Sequence, residues 1–150
     1  MSWEDVSSLT VNTEAMLLTS VIEAEEGRDV MTCDIPNAFI QTKVKETDDE
    51  GNRTIMKIRG VLVDILCEMD PTYKEFLIME GKHKVLYVHV TKAIYGLLKS
   101  AMLFYKKLVA DLIKYGFKIN PYDPCVANTM AHGKQLTVSW HVNDVKQVMS

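Results

Sequence analysis

Asp34 and Asp144 are far apart along the chain, yet both stand where a carboxylate can do chemistry. Asp34 ends the apolar run RDVMTCD, and Asp144 follows the run QLTVSWHVN. Pro36, two residues beyond Asp34, stops the first run from continuing as a central strand, and Asn143-Asp144 breaks the second. Two strand ends bearing acids suit metal-assisted phosphoryl transfer. There, two magnesium ions activate the attacking hydroxyl and stabilise the leaving oxygen, and shared carboxylates hold the ions. Taken alone, an acid at a strand end more often caps a turn. Other metal chemistry finds less support. Cys33, Cys67 and Cys125 are widely spaced, with no C-x-x-C or H-x-x-x-H pattern, and read as reduced core thiols. A calcium loop counted from Asp48 fails because its sixth residue is Arg53, where the turn needs glycine.

The elements that must position these acids are legible in outline. Asn12 to Glu26 reads as a helix capped by Asn12 or Thr13, with Ala15, Leu18, Val21 and Ile22 on one face and Gly27 closing it. RDVMTCD reads as a short buried strand. Lys43 to Arg53 is a charged loop, and Thr54 to Ile58 a returning strand. Residues 61–79 read as two short helices broken at Asp70-Pro71, and Lys84 to Val90 alternates like a strand. Leu97, Ala101, Phe104, Leu108, Leu112 and Tyr115 recur at helical steps up to Gly116. Cys125 to Ala131 and Gln135 to Val142 read as a hairpin across His132-Gly133-Lys134, and Val145 to Val148 as a further hairpin strand. The order is that of an α+β chain without repeats.

Composition bounds the class. The chain has 150 residues, 47% of them hydrophobic and 25% charged, enough for one soluble core. No apolar stretch approaches the roughly 20 residues of a membrane span. The acidic start MSWEDVSS lacks the pattern of a signal peptide, so an intracellular location is expected. Charge is divided unevenly. Residues 1–81 hold 7 basic and 17 acidic side chains, whereas residues 82–150 hold 10 basic and 3 acidic. Between Lys82 and Lys118 eight lysines face only Asp111. Such a segment can lie along a phosphate backbone, or be no more than a solvated helix face.

Three ordered blocks carry a resemblance along nearly the whole chain. They are TVNTEAMLLTSVIEAEEGRDVMTCDIPNAFIQTKV, LYVHVTKAIYGLLKSAMLFYKKL and YGFKINPYDPCVANTMAHGKQLTVSWHVNDVK. In that order they resemble the first catalytic strand with its preceding helix, the block entering the long palm helix, and the second catalytic hairpin of reverse transcriptases of copia-type long-terminal-repeat retrotransposons. The resemblance implies an α+β fold in which residues 1–150 form a partial reverse transcriptase domain. That domain would be the palm and part of the fingers of a right-hand polymerase, an antiparallel sheet with helices packed on one face and no thumb. It further implies an RNA-directed DNA polymerase that uses two Mg2+ ions, an RNA or DNA template with primer, and deoxynucleoside triphosphates. The enzyme would be cytoplasmic if expressed and joined to the RNase H and integrase of a polyprotein.

Roles follow from the resemblance residue by residue. Asp34 and Asp144 match catalytic, metal-binding aspartates. Ile35 would offer its backbone amide to the triphosphate, Phe39 would gate against a 2′-hydroxyl, and Gly96 would let backbone approach the nascent base pair. Asn143 departs from the pattern. The second motif ordinarily has two consecutive aspartates, and an amide at the first of them removes a charge and a bridging oxygen from the metal site. The basic fingers strand and the motif after the catalytic hairpin are also expected to be missing, so this copy is expected to be inactive. The alternative is a non-enzymatic nucleic-acid-binding or interaction domain that keeps the palm fold and its lysine face.

Overall fold

The computed structural model describes residues 9–47, 51–97 and 99–149. The acidic start read against a signal peptide, and the middle of the Lys43 to Arg53 loop with the rejected calcium site, lie outside the described residues. In chain order the elements are α1 (Thr13–Glu26), β1 (Asp29–Asp34), β2 (Ile55–Arg59), α2 (Val61–Met69), β3 (Ile78–Glu80), β4 (His83–His89), α3 (Ser100–Lys114), β5 (Lys118–Ile119), β6 (Val126–Ala131), β7 (Lys134–His141) and β8 (Asp144–Met149). Short 3-10 turns span Phe39–Gln41 and Pro71–Phe76. The class is α+β with antiparallel sheets. The chain divides into two compact units, residues 43–91 and the segments that flank them.

The flanking unit is built on a five-stranded sheet in the order β1-β8-β7-β6-β5, antiparallel throughout. Local chemistry explains its turns. His132 and Gly133 take φ of 53° and 78° between β6 and β7, the doubly left-handed turn whose twist matches a two-residue hairpin. Gly27 at φ 60° ends α1 by donating its N–H to the Glu23 carbonyl, and the Asn12 side chain starts the helix by accepting from Ala15 N. Tyr105, Leu108, Val109 and Leu112 of α3 pack against a buried cluster that includes Cys125, Ala127, Val138 and Trp140. The helical spacing is therefore realised from Ala101 to Leu112, while Leu97 precedes α3 and Tyr115 follows it, 78% exposed.

Three expectations for this unit need correction. Helices were expected on one face of the sheet, but they occupy both. Strand alternation puts Val138 and Trp140 on the face that α3 covers, and Thr137, Ser139 and Lys146 on the other, where Lys146 meets α1. Ala15, Leu18, Val21 and Ile22 were expected to share one apolar face, yet Ala15 packs against the core cluster while Leu18 and Val21 are 62% and 65% exposed. Polar pairing also holds α1: Lys146 Nζ donates to Glu23 Oε2 at 2.6 Å and to Ser20 Oγ at 3.2 Å. Finally, RDVMTCD is no buried strand. β1 is the sheet edge with every residue exposed, including Cys33, so only Cys67 and Cys125 are core thiols.

In residues 43–91, β2-β4-β3 form a three-stranded antiparallel sheet. Val63 and Cys67 of α2 bury against Leu86 on one of its faces. The helix break at Asp70-Pro71 is where it was expected, with the Asp70 side chain accepting from Thr72 N at 3.0 Å. The second piece is a 3-10 turn followed by β3, a three-residue strand too short to show an alternating pattern. Among the described residues no helix is long and apolar enough to cross a membrane.

Candidate functional site

The site lies in the flanking unit, where β1, β8 and β7 meet at one end of the sheet. Asp34 and Asp144 are direct cross-strand partners, and Asp144 in turn opposes His141. Partners directly across a ladder project from the same face about 5 Å apart, so His141, Asp144 and Asp34 form one row over three neighbouring strands. A groove of about 330 Å³ runs along them and is also lined by Thr32, Ser139 and Lys146.

A two-residue turn, Val142-Asn143, joins β7 to β8. Val142 stands at φ 57°, a left-handed conformation that a β-branched side chain resists at a cost of roughly 1–3 kcal/mol. The turn is tied to β1 twice. Ile35 N donates to the Asn143 carbonyl at 3.0 Å, and Asn143 Nδ2 donates to Asp34 Oδ1. Separately, the N-terminal segment joins the end of β7, since Val11 N donates to the Trp140 carbonyl and Thr10 bridges to His141.

The residues singled out in the sequence meet different fates. Asp34, Asn143 and Asp144 come together, with both aspartates exposed. The Ile35 amide is already engaged with Asn143 rather than open to a triphosphate. Phe39 is buried, with its ring 4.6 Å from that of Tyr95 and 6.1 Å from that of Phe104, and it does not line the groove. Gly96 follows Tyr95 in an exposed turn at φ 87°, where left-handed backbone alone accounts for glycine. His141 and Lys146 went unnoticed in the sequence. Alternation backward from the turn and forward from Asp144 would have placed both on the Asp34 face.

Two magnesium ions do not fit these residues as they stand. Hard cations need converging oxygens, whereas Asn143 presents its N–H to the Asp34 carboxylate. Among the described residues no group of three or more His, Cys, Asp and Glu side chains is gathered closely enough to hold a metal ion. No known protein family, curated protein or solved structure matches the chain.

Proposed function

We propose that this chain is the palm portion of a copia-type RNA-directed DNA polymerase whose nucleotidyl-transfer corner has lost its grip on metal at Asn143. The observation that carries this reading is the pairing of Asp34 with Asp144. Two acids distant in sequence, each within a block resembling a catalytic motif, are direct partners at the ends of adjacent strands. The strand order β1-β8-β7 is also what a first catalytic strand beside a catalytic hairpin requires. In the intact enzyme the substrates would be a primed RNA or DNA template and deoxynucleoside triphosphates, with Mg2+ as cofactor. RNase H and integrase would belong to the same intracellular polyprotein. Asp34 and Asp144 are the residues left to touch the ions.

Primer extension tests the reading. In a copia-type polymerase carrying this chain as its palm, Asn143→Asp is expected to restore magnesium-dependent extension from a background of none. Equal extension before and after the substitution would contradict it.

The hydrogen bond from Asn143 to Asp34 favours a second reading, a nucleic-acid-binding domain with no catalysis. Its surface would be the exposed Lys99, at the start of α3, and Lys106 and Lys114 on it. Primer-template binding that weakens with salt but ignores both magnesium and Asp34→Ala would favour this second reading.

A further inference from the structure

Asp34 and Asp144 are like charges set directly opposite each other, an arrangement that destabilises a strand pair unless something offsets it. Lys146, the nearest cation along β8, is engaged elsewhere, on Glu23 and Ser20. What meets Asp34 is the Asn143 amide, whose Nδ2 donates to Oδ1 while the backbone carbonyl of the same residue holds Ile35 N. One residue thus fastens the hairpin turn to the end of β1 through both its side chain and its main chain. A bridging cation would do that fastening by drawing oxygens together, but here a donor and an acceptor do it directly.

We infer that Asn143 takes over the mechanical role of a bridging cation. Its amide clamps β1 to the β7–β8 turn and makes this corner a joint that needs no divalent ion. The inference rests on the proposed polymerase reading only for treating position 143 as a former ligand site; the clamp itself follows from the contacts. A third carboxylate at this position would reverse the behaviour. Asn143→Asp would crowd three negative charges at one strand end and leave the corner dependent on a divalent ion.

Thermal unfolding of the chain in EDTA and in millimolar magnesium, with Asn143→Ala and Asn143→Asp alongside, tests this. The wild-type midpoint is expected to be the same in both buffers. Asn143→Ala should melt lower by roughly 2–4 °C in both, and Asn143→Asp should melt lower in EDTA but recover a similar amount with magnesium. A wild-type midpoint that rises with magnesium would overturn the inference, as would an Asn143→Ala variant as stable as wild type. Should Asn143→Asp fail to fold, the wild-type protein still decides the matter through its effect on the electron paramagnetic resonance signal of free Mn2+. An undiminished signal supports the clamp; a quenched one overturns it. Quenching would also count against the loss of metal in the proposed function, whereas primer extension unchanged by Asn143→Asp would sink that reading and leave the clamp standing, so the two ideas fail separately.

Discussion

Val142 bears the strain of the corner's shape. Its β-branched side chain sits in left-handed backbone at the first position of a two-residue turn, where glycine carries no steric penalty. Val142→Gly is therefore expected to stabilise the chain by about 1 kcal/mol, the relief of strain outweighing the extra freedom of the unfolded glycine. Urea denaturation measures this, and a loss of stability would show that Val142 packing matters more than its φ. The thiols make a second residue-level case. Burial, with Asp123 beside it, pushes the Cys125 thiol up to about 12, so it stays protonated and unreactive at neutral pH. Cys67 is buried and Cys33 exposed. Dithionitrobenzoate should label one thiol per native chain quickly, and Cys33→Ser should abolish that fast phase. The acids of the corner could be read from the sequence because Pro36 and the Asn143-Asp144 break show where the two strands end. The surroundings of Ile35 and Phe39 could not, because which atom an amide or ring faces is decided by packing between distant segments.

The elements were legible wherever periodicity and turn chemistry agree. α3 shows its apolar stripe from Phe104 to Leu112, and the β6–β7 hairpin declares itself at His132-Gly133. The orientation of α1 was hidden. Its apolar residues suggested one shared face, but the helix is also held by Glu23, which is 8% exposed, and by Lys146 across from it on β8. A buried ion pair contributes little net stability, yet removing one partner strands the other charge. Lys146→Met is expected to cost roughly 3 kcal/mol, and adding Glu23→Gln should recover much of that loss. Equal stability of Lys146→Met and wild type would mean that α1 does not depend on this pair. Asp123, which is 4% exposed, anchors the start of the same helix by accepting from Asn12 N and Cys125 N, each at 2.9 Å. No spacing rule linked residues 12 and 123, because a buried carboxylate bridging two loops leaves no periodic trace.

For the whole molecule, part of the charge asymmetry of the sequence is exposed around α3. Lys107 pairs with Asp111 on α3, while Lys99, Lys106 and Lys114 are exposed. If these lysines meet phosphates, replacing any one with alanine should lower primer-template affinity whatever the sequence. Each replacement should also reduce the salt dependence of binding by about one counterion. Fluorescence anisotropy across a salt series measures this, and an unchanged slope would leave the lysines as a solvated face. The division into two units was not visible in the composition, which shifts in charge near residue 81 rather than at residues 43 and 91. The proposed function rests on the corner where residues 34 and 144 meet. The most direct measurement replaces both with cysteine, Asp34→Cys and Asp144→Cys, in a chain whose native cysteines are serine. Cross-strand partners stand about 4.5–5.5 Å apart at Cα, within the span of a disulfide. Mild oxidation should therefore join them quantitatively within the monomer, as seen by mass spectrometry of the linked peptides; thiols that stay free would contradict the pairing.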